Sequence, residues 1–205
     1  MSKKIFIVLL AAVLTANYAQ AQLKFGARAG FNLTNVYQED ENGKMKGLDW
    51  KPGFQIGVVA DYALLEDLSI QPGILFSQQG MKANGSLLGS KVTLTYNLNY
   101  IQIPINFVFT NNALFLQAGP YLGFGIGGKK EAKSNSTSVS EKIKFGSGDD
   151  ADFRAFDFGL GVGAGLQFGN MQAGLGINYG LVNLRTDVKV KNIGLNLTLT
   201  YLFGN

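Results

Sequence analysis

The chain contains no histidine and no cysteine, which removes the side chains that most often shuttle protons near neutral pH or hold zinc and copper. What chemistry remains is sparse. Gly123-Phe-Gly-Ile-Gly-Gly128 fits the spelling G-x-G-x-x-G, but such a loop grips phosphate only where a helix begins behind it. Here it runs into Lys129-Lys-Glu-Ala-Lys-Ser-Asn-Ser, a charged loop. Small residues packed on one strand face account for the match, as they do for Gly159, Gly161, Gly163 and Gly165. Asp149, Asp150 and Asp152 lie in a Gly/Ser stretch and could offer oxygens to calcium, but their spacing is not that of an EF-hand. A solvated acidic loop is the expectation. The same stretch balances five lysines, Lys129, Lys130, Lys133, Lys142 and Lys144, against Glu131, Glu141 and those aspartates, so no basic stripe for nucleic acid emerges. No carboxylate pair stands out for acid–base work. The sequence therefore points to a protein that is not an enzyme and carries no cofactor.

A second set of polar residues is notable for its surroundings. Arg28, Asp61 and Asp157 are isolated charges on strand faces otherwise built of Gly, Asn, Gln, Ser and Thr, and Gln71, Gln102, Gln117 and Asn178 belong to the same faces. An enclosed charge must find a partner or change its protonation. These seven are expected to form a structural polar network inside a closed barrel, with Arg28 pairing with one or both carboxylates. The alternative, a gate or ligand site, fits a narrow barrel less well because eight strands leave no channel to gate.

The elements that must position them alternate with period two. Leu23, Phe25, Ala27, Ala29, Phe31 and Leu33 face one way, with Lys24, Gly26, Arg28, Gly30, Asn32 and Thr34 between them. Seven further segments repeat the pattern, centred on residues 54–62, 70–76, 92–109, 114–126, 156–168, 171–181 and 193–203. Each is long enough for a tilted membrane-crossing strand of about 9 to 11 residues. In the fourth, Val92, Leu94, Tyr96, Leu98 and Tyr100 give way to Ile101, Ile103, Ile105, Phe107 and Phe109, and a bulge near Tyr100-Ile101 is expected to keep one apolar face continuous. Pro72, Pro104 and Pro120 fall inside segments, where a closed barrel has no edge to tolerate them; local bulging is the expectation.

Three connections are short, residues 64–67, 110–113 and the dipeptide Gly169-Asn170, and four are longer, 35–51, 80–91, 128–152 and 184–191. Short turns on one side and long loops on the other are the rhythm of an outer-membrane barrel. A soluble barrel or sandwich would carry about 25 to 35 per cent charge on its wet face; the non-apolar face here does not, so it looks enclosed. The fold class expected is all-β, an eight-stranded antiparallel up-and-down transmembrane β-barrel with its long loops outside the cell, in contact with outer-membrane lipid and monomeric. Lys3, Lys4, the apolar run 5–14 and Ala19-Gln-Ala21 read as a cleavable signal peptide over 1–21, leaving 22–205 as the barrel domain and reducing the 18 basic residues to 16 against 14 acidic.

Certain words then become recognisable: Leu68-Ser-Ile-Gln-Pro-Gly-Ile-Leu-Phe-Ser-Gln-Gln-Gly80, Asn99-Tyr-Ile-Gln-Ile-Pro-Ile105, Ala118-Gly-Pro-Tyr-Leu-Gly123, Asp157-Phe-Gly-Leu160 and Tyr179-Gly-Leu-Val-Asn183. Together they resemble the PorT-like outer-membrane β-barrel domain family of Bacteroidota, across essentially the whole mature chain. The resemblance implies eight-stranded barrels mostly without assigned activity, whose namesake is implicated in protein secretion across the outer membrane. The ending Tyr201-Leu-Phe203-Gly-Asn is similar to the aromatic-terminated last strand that barrel assembly machinery recognises, with two residues added after Phe203. Three functions follow as expectations. The first is a non-enzymatic structural or interaction role through the outer loops, with a cell-surface partner. The second is an accessory role in secretion, with a secretion-system partner. The third is a small-solute pore.

Overall fold

The computed structural model describes residues 23–39, 48–87, 90–134, 137–146, 151–185 and 189–204. The signal-peptide expectation over 1–21 lies outside the described residues, as do Asp149 and Asp150. The strands are β1 (Leu23–Glu39), β2 (Leu48–Asp49), β3 (Lys51–Ala63), β4 (Leu68–Leu87), β5 (Ser90–Asn111), β6 (Leu114–Ser134), β7 (Thr137–Lys142), β8 (Phe156–Phe168), β9 (Met171–Gly180) and β10 (Lys189–Phe203). Eight of these described strands close an antiparallel ring in the order β1-β3-β4-β5-β6-β8-β9-β10, with β10 pairing back onto β1. The remaining two, β2 and β7, pair outside the ring with β4 and β6. Closure leaves the ring no free edge.

The alternation sorts the side chains as expected. Phe25, Phe54, Ile56, Val58, Ile74, Phe107, Leu160, Val162, Leu175, Ile177 and Leu197 stand exposed on the outside, whereas Arg28, Asn32, Gln55, Gln71, Gln102, Asp157, Gln172 and Thr200 are buried within. In water this arrangement would be inverted; it suits lipid outside and a packed polar interior. Turns at one end are tight. Asn112 (φ 53°) and Gly169 (φ 56°) take the left-handed conformation in two of them, which Asn and Gly tolerate.

Three sequence expectations are corrected. Tyr100 and Leu98 do not face outward: both are fully buried inside the barrel mouth, continuing the inward phase of Gln102 and Asn106. A register shift does occur between Asn99 and Tyr100, but Ile126 of β6 is the extra residue, and β4–β5 keeps one register throughout. The apolar run of upper β5 thus serves an internal cluster rather than lipid.

The prolines need no bulge. The β3–β4 ladder omits Ala60 and Asp61 against Gln71 and Pro72, the β4–β5 ladder omits Gly73 and Ile74 against Ile103 and Pro104, and the β5–β6 ladder omits Ile105 and Asn106 against Gly119 and Pro120. Each gap holds one proline, whose missing N–H forfeits a ladder bond, and the register is identical on both sides. The chain loses local pairing and keeps its alternation.

Two of the four long connections are strand rather than loop. β4, β5 and β6 run for 20, 22 and 21 residues, about twice what a bilayer crossing needs. The excess forms a sheet, β2-β4-β5-β6-β7, that continues the wall past the end of the ring.

Candidate functional site

The interior is built in three storeys. At the turn end, Lys24, Asp61, Glu66, Asp67 and Gln172 line an open bowl of about 710 Å³. Above it lies a continuous hydrogen-bond relay. The Arg28 Nε–H donates to Thr200 Oγ1 at 2.8 Å and its Nη2 donates to the side-chain carbonyl of Gln71. Gln71 Nε2 in turn donates to Asp61 Oδ2 at 2.7 Å and to Gln172 Oε1 at 3.2 Å, and the Ser69 hydroxyl reaches Asp61 at 3.2 Å. Gln172 passes the relay to Gln167 at 3.0 Å. Arg28 therefore meets neither carboxylate directly; among the described residues the one ion pair within 4 Å is Lys133–Glu131. The expected Arg28 pairing is corrected to an amide relay. Gln71 occupies the space between the two charges and satisfies both with a neutral group, so neither must approach the other through the crowded lumen.

The middle storey closes. Arg28, Gln102, Gln117 and Asn178 converge on a void of about 30 Å³, and a neighbouring void beside Tyr121 and Asn192 holds about 10 Å³, room for roughly one to three waters. Inward glycines make space for large side chains from other strands. A Cβ on Gly159 would lie 2.6 Å from the Tyr121 hydroxyl, and one on Gly165 would lie 2.6 Å from the Phe115 ring. This is the use to which many of the 27 glycines are put. Asp157 sits at the top of this storey, its Oδ2 accepting from Tyr121 Oη at 3.2 Å and Asn192 Nδ2 at 2.8 Å, well apart from the Arg28 relay.

The third storey is an apolar lid that sequence reasoning missed. Val36, Leu98, Tyr100, Ile143, Phe153, Leu184 and Val190 form a buried cluster with Met81, Tyr96 and Phe145 packed against it. The segment after β7 turns into the mouth and is pinned by backbone bonds, Gly125 N to Ala155 O at 2.7 Å and Arg154 N to Leu184 O at 2.8 Å. Phe145 lies over Gly125, its ring 2.5 Å from where a Cβ would stand. Ile143, Phe145 and Phe153 were the available signal, three large apolar residues in an otherwise polar stretch.

Of the seven expected network residues, Arg28, Gln71 and Asp61 join one relay, Arg28, Gln102, Gln117 and Asn178 share one void, and Asp157 stands in a separate cluster. Asp152 accepts from Lys144 N at 2.9 Å. No group of three metal-ligating carboxylates occurs among the described residues. Gly123–Gly128 lies wholly within β6 with no helix behind it, so it has no phosphate-binding geometry.

The family model described as "Outer membrane protein beta-barrel domain" matches residues 18–185. A comparison with curated proteins finds no match. Among solved structures, the chain is similar to the attachment invasion locus protein Ail of Yersinia pestis, with 18% identity, TM-score 0.46, 89% of this chain and 99% of that one covered. It is also similar to Neisserial surface protein A, with 13% identity, TM-score 0.47, and 87% and 97% covered. A third is the N-terminal β-barrel domain of Pseudomonas aeruginosa OprF, with 10% identity, TM-score 0.32, and 85% and 97% covered.

Proposed function

The chain belongs to the outer-membrane β-barrel domain family, and from that premise we propose that it works without covalent chemistry, as a lipid-embedded, monomeric scaffold that holds the sheet extension β2-β4-β5-β6-β7 outside the cell. The observation that carries this reading is the length of β4, β5 and β6, 20 to 22 residues each, against the about 9 to 11 that a crossing consumes. In this reading the lumen network and the apolar lid are structural: they fill the barrel and fix the base of the extension. Voids of about 30 and 10 Å³ argue against a solute pore. Residues 1–21 are the export signal, removed on secretion. Assembly machinery reads the last strand through Tyr201 and Phe203, whose rings lie 5.5 Å apart.

Replacing residues 130–141 by a short turn tests this directly. The shortened chain should still insert and remain heat-modifiable on gels, yet lose crosslinks to surface partners in intact cells. An unchanged crosslink pattern would remove the extension from the account.

A second reading is favoured by the PorT-like words, above all Leu68–Gly80 and Asn99–Ile105: an accessory role in protein secretion across the outer membrane. Those words hold the proline gaps and lumen residues Gln71 and Gln102, which are features of construction rather than of a docking face. Co-purification with secretion components after mild detergent extraction supports that role; clean isolation of the barrel alone speaks against it.

A further inference from the structure

The extension carries a groove of about 550 Å³ that includes the outward-alternating Gln78, Asn97, Asn99, Lys129, Glu131 and Lys142 and reaches inward to Ile143 of the lid. Register places it just above the lipid-facing wall. Phe76 pairs with Ile101 and Ile101 with Phe124; two residues further along β4 and β5, and three along β6 past the bulged Ile126, come Gln78, Asn99 and Gly127. Two further still stand Gly80, Asn97 and Lys129, with Lys142 beyond on β7. At about 3.4 Å per residue the lysines lie roughly 14 Å along the strand from the apolar edge, or about 10 Å in height at a tilt near 45°. An interfacial layer is about 5 to 7 Å deep, and lysine stems extend their charged ends toward it.

Within this groove Lys129 lies directly opposite Lys142 in the β6–β7 ladder. Directly opposed like charges destabilise a sheet pair. Among the described residues neither has a carboxylate within 4 Å, and the nearby Glu131 is engaged by Lys133 at 3.9 Å. Asn99 adds an independent observation: its side-chain carbonyl is buried without a donor. The groove thus offers two cations with no carboxylate within 4 Å and one acceptor without a donor, just above the interfacial layer and within reach of it along the lysine stems.

We propose that this groove binds the phosphorylated sugar headgroup of an outer-leaflet glycolipid, with Lys129 and Lys142 clasping the phosphate and Asn99 Oδ1 accepting from a neighbouring hydroxyl. The assignment rests on the extension being outside the cell. Charge complementarity and continuity with the lipid-facing wall select a lipid rather than a soluble anion.

The test is titration of the detergent-folded barrel with lipid A, its dephosphorylated form, and inorganic phosphate as competitor. Saturable binding of lipid A is expected, weakened at least tenfold by removing the phosphates or by the double substitution Lys129→Gln, Lys142→Gln, taking about 1 kcal/mol per lysine at a membrane surface. Lys129→Arg with Lys142→Arg should retain binding, and Lys24→Gln with Lys91→Gln, which removes the same charge away from the groove, should leave it unchanged. Equal binding by the groove variant, or of the dephosphorylated lipid, overturns the proposal, as does full competition by millimolar phosphate. Each variant is first checked for heat-modifiability. A barrel that inserts with the opposite orientation defeats the scaffold reading itself, whereas correct insertion with indifferent lysines defeats this inference alone.

Discussion

Arg28 and Asp61 communicate through a single amide: Gln71 accepts from the guanidinium on one side and donates to the carboxylate at 2.7 Å on the other. Gln71 itself is completely buried. Both charges share one neutral side chain that can serve as acceptor and donor at once.

Gln71→Leu therefore leaves Arg28 with Thr200 alone and Asp61 with Ser69 and the open bowl. Two hydrogen bonds to ionised partners vanish together, each worth about 1.5 to 3 kcal/mol, and the urea midpoint of the barrel refolded into vesicles should fall accordingly. Arg28→Leu should fall by a comparable amount, and the double variant by clearly less than the sum, because the two residues share the relay. Full additivity would dissolve the relay into independent contacts.

The apolar lid should be separable from the barrel. Phe153 is 2% exposed, and truncating a buried Phe to Ala costs about 3 to 5 kcal/mol. Phe153→Ala should loosen the lid and make residues 143–155 sensitive to added protease while the ring still resists boiling-free denaturation on gels. Gly125→Val should do the same from the opposite side, since Phe145 fills the space the new side chain needs. Undiminished protease resistance in both would mean the lid does not rest on these contacts.

The two faces of β9 should tolerate charge differently. Ile177 is 48% exposed on the outside, and arginine facing lipid at mid-depth costs about 2 to 4 kcal/mol, whereas Asn178 points at the small polar void. Ile177→Arg should hinder folding into vesicles more than Asn178→Arg. The reverse order would invert the assignment of inside and outside.

Much of the fold was legible because the alternation of apolar and small polar residues separates two faces, the scarcity of charge on the polar one marks it as enclosed, and the tight turns at Asn112 and Gly169 carry their own local signal. Upper β5 was not legible in the same way. Leu98 and Tyr100 alternate correctly but lie inside, since alternation tells two faces apart without saying what covers each one. The cover comes from Ile143, Phe145 and Phe153, remote in sequence. The lumen residues were identifiable one by one from their place on the enclosed face, but their partners were not. Register between distant strands decides that Arg28 meets Gln71 and Thr200, and no local pattern encodes it. The prolines were visible, but the way a ladder drops two residues and resumes in the same register is a property of paired strands.

The scaffold account makes its most direct claim about sidedness, and the absence of cysteine makes that measurable. Ser138→Cys sits on β7 in the extension, and Asn112→Cys in the turn between β5 and β6 at the opposite end. In intact cells a membrane-impermeant maleimide should label Ser138→Cys and leave Asn112→Cys untouched until the outer membrane is permeabilised. Labelling of Asn112→Cys in intact cells, with or without Ser138→Cys, would contradict the account.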